Sequence, residues 1–409
     1  MAIGLVSTYP PRRCGIASVA LHLRQALLAA GEDFVPVVAL VKDPADSLVG
    51  PEVVAQIHHH VKGDYRRAAA ILNALPLRAV ILEHEFSLFG GPMGSYVLGL
   101  LEALSAPVIT VFHTIISSAP PQMIEMVRKV ASASAAVVVL CERARQLITA
   151  QFGVPDGKVV HIPNGAPLPP EGSSGECKAL LGLSGRTVAL TFGLLSPTKG
   201  IETALDAVAQ VAPDHRELLY VIAGATHPEE IRVRGEGYRA GLVEQVARLG
   251  IGDHVRFVSR YLTEEEVVQY VQAADMYVTP YVVMAQTSSA TLATAAFLGK
   301  ALLSTPYDYA AELLADGAGY LFPAGDSAAL ARGIRWLLES PEARAQLGEA
   351  ARTRAAAFSW PALGHRYRQL ANVLPSPRPN LRPEPPIQPG TGIRARPPFF
   401  RRGSAPGGR

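Results

Sequence analysis

Short apolar runs alternate with longer amphipathic stretches along most of the chain. The runs have the length of β-strands and are continuous, which is typical of parallel strands buried on both faces. In the first half they are Ile3–Val6, Val37–Leu40, Ala79–Leu82, Val108–Phe112, Ala135–Leu140 and Val159–Ile162. In the second half they are Thr187–Phe192, Leu218–Ala223, Val255–Val258, Met276–Thr279 and Ala301–Ser304. The pattern therefore predicts two successive series of parallel strands.

Helical periodicity fills the intervals between these runs. Helices are expected after the first run, from Lys199, from about Pro228 as one long helix, and near Ser288. Strands that alternate with helices predict an α/β fold of two Rossmann-like, doubly wound domains. The joint is predicted at Pro163–Ser174, which contains an Asn-Gly pair and several prolines. The expected units are residues 1–168, residues 175–357, a helical segment 358–374 and a tail 375–409.

Composition places the protein among globular intracellular chains. Of the 409 residues, 49% are hydrophobic and the formal net charge is +3, which excludes wholesale disorder. Three widely spaced cysteines exclude a disulfide scaffold and a zinc knuckle. The longest uncharged apolar run, Ser132–Cys141, is too short to span a membrane, and the first residues lack the pattern of a secretory signal. We therefore expect a cytoplasmic protein that holds no metal.

The tail 375–409 differs from the rest of the chain in composition. It contains seven arginines and ten prolines but a single acidic residue, Glu384, so it cannot bury a core and is expected to be disordered. The simplest interpretation is a solvated extension. The alternative is a weak electrostatic contact with an anionic surface, such as a membrane surface. We expect no nucleic-acid partner for the protein.

The loop after the first strand, Ser7–Ile16, carries two adjacent arginines and a glycine at the start of a predicted helix. Gly15 allows close approach of the backbone to a ligand, the helix N-terminus favours an anion, and Arg12 and Arg13 add charge suited to phosphate. Neither the dinucleotide-binding glycine fingerprint nor the P-loop pattern is present. The loop is interpreted as a phosphate contact, with an ordinary turn that carries solvated arginines as the alternative.

The corresponding loop of the second series is Phe192–Gly200, which contains Gly193 and Lys199. A lysine beside a glycine at a helix start suits a diphosphate, because the ammonium and the helix dipole act together. The alternative is a solvated lysine in an ordinary first turn. The position of the loop, as the first of its domain, favours the phosphate interpretation.

A third loop is rich in hydroxyl groups. It follows the strand Met276–Thr279 and runs through Ala285–Thr294, with a helix expected from about Ser288. Capping of that helix needs only one hydroxyl. The surplus favours contact with a ligand.

Histidines follow two strands of the first series. His113 ends the run Val108–Phe112, and His84 with Glu85 follows the run Ala79–Leu82. Ligands of open α/β sheets bind beyond the carboxyl ends of the strands. His113 is therefore a candidate functional residue, and the His84–Glu85 pair is a candidate for acid–base work or for binding sugar hydroxyls. Packing or loop stabilisation is the alternative for the pair.

These loops resemble those of the retaining GT-B glycosyltransferases of family four, the glycosyl transferase group 1 type. The resemblance covers roughly residues 2–372, and the order and spacing of its parts make it specific. The matching segments are Tyr9–Gly15, His113, Ile162–Gly165, Phe192–Gly200, Val221–Gly224, Ala273–Asp275, Gln286–Leu292, Gly299–Ser304, Ser304–Tyr307 and Glu312.

The resemblance implies a nucleotide-sugar donor held by the C-terminal domain and a carbohydrate or other hydroxyl acceptor held by the N-terminal domain. It also implies that the segment 358–374 crosses back to the N-terminal domain. Retention is usually explained in this family by front-face attack, in which the leaving phosphate helps to deprotonate the acceptor. Because no metal-ligating cluster is visible in the sequence, we expect metal-independent chemistry and no separate cofactor. The implied catalytic residues are His113, Lys199 and Gln286. The implied donor-binding residues are Gly15, Arg13, Gly193, Lys199, Arg260, Thr287, Ser288, Ser289 and Thr294, and His84 and Glu85 are assigned to the acceptor.

The chain departs from the family at three positions. The family typically has two glutamates where this chain has Gln286 and Thr294, and an arginine where it has Leu194. Gln and Thr can hydrogen-bond to a sugar but cannot carry charge. Two further functions therefore stay open at this point. One is a sugar-nucleotide epimerase on the same scaffold, which would depend on carboxylates such as Glu85 and Glu312, and the other is a non-catalytic protein that binds nucleotide or glycan.

Overall fold

Two parallel sheets organise the protein, one in each half of the chain. The computed structural model describes residues 1–47 and 50–377. The first sheet has the strand order β3-β2-β1-β4-β5-β6-β7 and the second has the order β10-β9-β8-β11-β12-β13. The strands are β1 Ala2–Ser7, β2 Val37–Val41, β3 Val53–His58, β4 Leu77–His84, β5 Val108–Phe112, β6 Ala136–Val139, β7 Val159–His161, β8 Thr187–Phe192, β9 Leu218–Ala223, β10 Val255–Val258, β11 Met276–Thr279, β12 Ala301–Ser304 and β13 Tyr320–Leu321. The predicted α/β architecture of two doubly wound sheets is confirmed.

Helices cover both faces of the sheets, as parallel strands require. They are α1 Gly15–Ala29, α2 Lys62–Asn73, α3 Val97–Ala103, α4 Pro121–Ala133, α5 Glu142–Ala150, α6 Ser174–Leu180, α7 Ile201–Val211, α8 Pro228–Arg234, α9 Gly237–Leu249, α10 Glu264–Ala273, α11 Ala290–Phe297, α12 Asp308–Leu313, α13 Ser327–Glu339, α14 Pro341–Arg354 and α15 Trp360–Val373. Within the described part of the chain, no helix is long and apolar enough to cross a membrane.

Several elements differ from the sequence prediction. β4 runs on to His84, two residues further than its apolar run indicates, and the short strand β13 was not predicted. The single long helix expected from Pro228 is broken into α8 and α9 at Gly235, which has φ +59°. A left-handed residue ends one helix and redirects the chain. The edge strand β3 was not predicted as a strand, because its side chains are only partly buried and do not form a continuous apolar run.

Both sheets reverse their strand order at one point, between β1 and β4 in the first and between β8 and β11 in the second. Loops that leave such strands at their carboxyl ends diverge to opposite faces and leave a crevice between them. In the second sheet the loops concerned are residues 193–200 and 280–289. In the first sheet they are residues 8–14 and the segment after His84.

The chain passes between the two sheets twice, and the two passages lie side by side. Ala166, in the first passage, forms a parallel bridge with Ser359 in the second. Its amide donates to the carbonyl of Phe358 at 2.8 Å. α15 then packs along α1 and buries Trp360, Leu363 and Tyr367 in the core of the N-terminal sheet. The tail predicted over residues 375–409 lies almost wholly outside the described residues.

Candidate active site

Lys199 lies against the face of a buried tyrosine at the crevice of the second sheet. It ends a 3₁₀ turn, Pro197–Lys199, and α7 begins two residues later. Its Nζ is 3.9 Å from the centre of the Tyr281 ring, a cation–π contact. Gly200 has φ +60°, and an added Cβ would lie 2.1 Å from the Pro280 carbonyl oxygen. The close contact of the two loops at the strand-order reversal therefore fixes the position of Lys199.

A line of hydroxyl groups extends from Tyr281 into the third loop. Tyr281 Oη hydrogen-bonds with Thr291 Oγ1 at 3.1 Å, and Thr291 Oγ1 hydrogen-bonds with Ser289 Oγ at 3.3 Å. Burial acts to raise the pKa of Tyr281, but the Lys199 ammonium and these hydroxyls outweigh it and the pKa is lowered. Ser289 also caps α11, since its Oγ accepts from the amide of Leu292. Ser289 therefore caps the helix and also belongs to the line of hydroxyl groups.

Two hydroxyls of the same loop reach across to the N-terminal half. Thr287 Oγ1 donates to the carbonyl of Ile115 at 2.8 Å, and Ser288 Oγ donates to the carbonyl of His113 at 3.1 Å. Thr287 and Ser288 were predicted to contact the donor. In the structure their hydroxyl groups join the loop to the segment that carries His113.

A second set of contacts crosses the same boundary. The Glu312 carboxylate accepts hydrogen bonds from the amides of Glu142 and Arg143 at 2.9 and 2.8 Å, at the start of α5. A carboxylate at a helix N-terminus satisfies otherwise free amides and is favoured by the helix dipole. The side chain of Arg143 lies 3.7 Å from Asp308. Glu312 is therefore occupied in structural contacts, which disfavours the epimerase role that was left open for it.

His113 follows β5 and is paired with a buried carboxylate. Its Nε2 is 2.7 Å from Glu83 Oε2, and the side chains are 10% and 1% exposed respectively. Its amide donates to the carbonyl of His84 at 3.1 Å. Sequence reasoning did not select Glu83, although a charged residue directly after the apolar run Ala79–Leu82 is itself a signal.

Gln286 and Thr294, which occupy the positions of the two family glutamates, have different surroundings. Gln286 Nε2 donates to the carbonyl of Ser288 at 2.7 Å, which orients the amide and leaves its Oε1 as an acceptor. Thr294 Oγ1 donates to the carbonyl of Ala290 at 2.9 Å within α11, and the residue is buried. Its hydroxyl proton is therefore engaged within its own helix.

The two adjacent arginines of the first loop have different partners. Arg12 is paired with Asp46 at 3.3 Å. Arg13 is exposed and lies 5.9 Å from the centre of the Tyr261 ring of the C-terminal half. Gly15 begins α1, and an added Cβ would meet nothing within 4 Å. The start of α1 therefore has free space beside Gly15. Among residues 1–47 and 50–377, Arg12 pairs with a carboxylate and Arg13 does not.

Arg260 lies in the loop after β10, where the resemblance places contacts with the base. Its guanidinium forms two hydrogen bonds with Glu266, at 2.7 and 2.5 Å, which lower the pKa of Glu266 to about 2. A neighbouring residue that sequence reasoning missed is Arg239. It is buried and donates to the carbonyl of Gly224 at 2.8 Å and to Ser259 Oγ at 3.0 Å, so it holds together the loops after β9 and β10.

His84 does not take the predicted acceptor-binding position. The side chain has no exposed surface, and it packs against Phe86, Phe89 and Phe112. Burial, with the nearby His113, lowers its pKa to about 3, so the ring is neutral. The reason for the error is that β4 continues through His84, so this residue still belongs to the sheet. Glu85 is partly exposed and accepts from the amide of Phe86 at 2.9 Å and from the hydroxyl of Thr114.

Comparison with known families gives one match in each half of the chain. The model described as Glycosyltransferase Family 4 matches residues 14–168, and the model described as Glycosyl transferases group 1 matches residues 178–354. The boundary between the two matches falls at the joint between the two sheets.

Curated relatives include two glycosyltransferases. The chain is 24% identical to a phosphatidyl-myo-inositol mannosyltransferase of Mycobacterium leprae over 372 residues, which cover 88% of this chain and 93% of the relative. It is 29% identical to a D-inositol 3-phosphate glycosyltransferase of Streptomyces avermitilis over 241 residues, which cover 56% of this chain and 50% of that protein.

Solved structures share the fold. HepE of Anabaena in complex with UDP matches with a TM-score of 0.74 and 17% identity, over 91% of this chain and all of that one. Sucrose-phosphate synthase of Thermosynechococcus elongatus matches with a TM-score of 0.70 and 18% identity, over 91% and 98%. Together with the two family matches and the paired sheets, these similarities show that the chain belongs to the group 1 type of family-four glycosyltransferases, enzymes of the GT-B fold that use nucleotide sugars.

Proposed function

We propose that the protein transfers a hexose from a nucleotide-diphosphate sugar to a hydroxyl of a sugar or other acceptor, with retention of the anomeric configuration. The observation that carries the proposal is the continuous set of contacts from Lys199 to His113. Lys199 lies over Tyr281, whose hydroxyl is linked through Thr291 to the third loop, and that loop is bonded to His113. When the diphosphate of the donor binds at Lys199, its sugar is expected to lie beside these contacts and near His113.

Protein cations and helix termini supply the charge for the diphosphate in this proposal. Lys199 contributes an ammonium directly before α7, and Arg13 contributes a guanidinium at the open start of α1. An added Cβ at Gly15 would meet nothing within 4 Å, which leaves room for a phosphate oxygen beside the first turn of α1. Charge stabilisation by these groups makes a bound metal unnecessary for departure of the diphosphate.

The transfer step is a front-face displacement. The bond between the anomeric carbon and the diphosphate oxygen breaks, and its electron pair leaves with the diphosphate. The bond from the acceptor oxygen forms on the same face, and the acceptor proton passes to a leaving phosphate oxygen. Gln286 supports this scheme, because an amide at this position orients sugar hydroxyls but cannot act as a carboxylate nucleophile.

The acceptor is assigned to the N-terminal half near Glu85. This carboxylate lies just beyond β4, is partly exposed and is held by Phe86 and Thr114. A fixed carboxylate accepts hydrogen bonds from the hydroxyls of a sugar. The match to two enzymes named as glycosyltransferases supports this catalytic function over a non-catalytic binding protein.

Calorimetric binding of UDP, GDP, ADP and dTDP to the purified chain is the first test. The nucleotide that binds identifies the hexose donors to combine with sugar acceptors, and UDP-glucose and GDP-mannose are the first to try. HepE of Anabaena was solved with UDP and glucose, and one relative is named a mannosyltransferase. The anomeric configuration of the product is then read by NMR. Failure of every nucleotide to bind, or a product of inverted configuration, would contradict the proposal.

A further inference from the structure

Glu83 is a buried carboxylate that the transfer scheme above does not use. It is the second-last residue of β4, and its side chain is 1% exposed. Its Oε2 lies 2.7 Å from His113 Nε2, and its Oε1 has no hydrogen-bond partner among the described residues. Removal of a carboxylate from water is costly unless it is paired. The pairing with His113 is the contact that offsets this cost.

The sheet itself sets the geometry of the pair. β4 and β5 are neighbouring parallel strands in which Glu83 pairs with Val111 and His84 with Phe112. The amide of His113 then continues the ladder by donating to the carbonyl of His84. The backbone positions of Glu83 and His113 are therefore fixed relative to each other by strand hydrogen bonds.

His113 is thus held at three points by two elements, β4 and the third loop. The ring is held by Glu83, the amide by β4, and the carbonyl by Ser288 of the third loop. Glu83 cannot touch a substrate itself, because its side chain lies beneath the surface. Its direct contact on the side of the site is the imidazole of His113, so its influence on a ligand is expected to pass through that ring.

We propose that Glu83 is a positioning residue that holds His113 as the Nε2–H tautomer. The inference rests on the proposed function for its catalytic consequence. With Nε2–H donating to the carboxylate, Nδ1 is the ring nitrogen that meets the donor sugar or the acceptor, and it accepts a hydrogen bond from a hydroxyl.

A double-mutant cycle tests whether Glu83 acts through His113. The variants are E83Q, H113A and E83Q/H113A, and kcat and nucleotide affinity are measured for each. E83Q is expected to lower kcat by about 10- to 100-fold, the usual cost of removing such a supporting contact, with nucleotide affinity nearly unchanged. In the H113A background the same substitution is expected to change kcat less than about twofold. A full second loss in the double variant would overturn the proposal.

The tautomer of His113 is measured independently of turnover. Long-range ¹H–¹⁵N correlation spectra of protein labelled with ¹⁵N-histidine, at pH 8.5 and without nucleotide, assign the protonated nitrogen, with H113A identifying the signal. The wild type is expected to show Nε2–H, and E83Q a mixture of tautomers. A wild type that shows Nδ1–H overturns the inference even if transfer is found. Nε2–H in a protein that transfers no sugar leaves the inference standing and contradicts the proposed function instead.

A matched control separates the specific role from the general effect of a buried charge. Glu32 is also a buried carboxylate. It is paired with Arg368 at 3.0 Å and with Arg78, at the opposite end of β4 from Glu83. E32Q is expected to lower thermal stability while kcat stays within twofold of the wild type. A loss of kcat in E32Q equal to that in E83Q would overturn the proposal.

Discussion

Ser288 Oγ donates a hydrogen bond to the backbone carbonyl of His113, 3.1 Å away and in the other domain. Beside it, Thr287 forms a similar bond with Ile115 at 2.8 Å. Side chains of the C-terminal half thereby hold the backbone of the segment that carries the candidate histidine. The position of His113 therefore depends on how the two domains are arranged, and we expect donor binding and closure of the cleft to be coupled through it.

The double variant T287V/S288A is expected to loosen this arrangement. Each substitution removes a hydroxyl that satisfies a carbonyl, at a cost of about 1–3 kcal/mol to the contact between the two domains. The radius of gyration from small-angle scattering should increase, and kcat should fall. T149V is the matched control, since the Thr149 hydroxyl donates only to carbonyls of its own helix. An unchanged radius in the double variant would show that these bonds do not hold the domains together.

Replacement of Lys199 by alanine is expected to weaken nucleotide binding. The ammonium is positioned over Tyr281 at the start of α7, and loss of a charge-assisted contact costs about 1.5–3 kcal/mol, or roughly 10- to 150-fold in Kd. Calorimetry with the nucleoside diphosphate measures the effect. K129A is the control, because Lys129 is paired with Glu125 on the surface of α4. Equal affinity of K199A and wild type would remove Lys199 from the donor site.

The two arginines of the first loop are expected to differ in their effect on donor binding. R13A should raise the Kd for the diphosphate about tenfold, and the loss should shrink at high salt because the charge is exposed. R12A should have a smaller effect, since Arg12 is already paired with Asp46. The same titrations at low and high salt give both results. A larger loss in R12A than in R13A would reverse the assignment.

The free energy of unfolding should rise with pH because Lys300 is buried. It is buried and donates to the carbonyl of Gln272 at 2.9 Å, and burial lowers its pKa from 10.5 to about 8. Between these values the unfolded chain binds more protons than the folded one, so the free energy of unfolding increases as the pH rises. From pH 7.5 to 9.5 the increase due to this group is about 2 kcal/mol.

The variant K300M isolates this contribution. Both proteins are unfolded with denaturant at several pH values. The difference between their free energies of unfolding removes the contribution of all other titrating groups. The stability of the wild type relative to K300M should increase by the same ~2 kcal/mol between pH 7.5 and 9.5. A constant difference across this range would mean that Lys300 keeps its ordinary pKa in the folded protein.

Gly165 should tolerate no side chain. A Cβ at this position would lie 2.3 Å from Cε2 of Trp360, so G165A must displace the first turn of α15. Overpacking of this kind costs about 1–3 kcal/mol. The free energy of unfolding from urea titration measures it. G157A is the control, since a Cβ at Gly157 meets nothing within 4 Å. Equal stability of the two variants would contradict the close packing at the joint.

The sequence predicts the fold well because buried parallel strands have a strong local signature. Strands such as Val108–Phe112 and Thr187–Phe192 have the bounds that their apolar runs indicate. The edge strand β3 lacks that signature, since most of its side chains are only partly buried. The break between α8 and α9 depends on one glycine conformation, which periodicity does not report.

The site is less predictable, because its contacts are long-range. The end of β4 was placed two residues early, so buried His84 was taken for a loop residue and Glu83 was overlooked. Periodicity shows where strands lie, but the pairing of Glu83 with His113 depends on which strands become neighbours. Tyr281 was not selected for the same reason, since its role follows from the approach of Lys199.

The side-by-side passages at Ala166 and Ser359 have a consequence for recombination. Because both ends of the C-terminal half emerge at one point, this half is an insertion into the N-terminal domain, which α15 completes. Exchange of residues 167–358 for the same half of a relative needs two junctions, and these lie next to each other. Under the proposed function, we expect donor specificity to be carried on a unit that can be transplanted, while the N-terminal domain keeps α15 as its own closing helix.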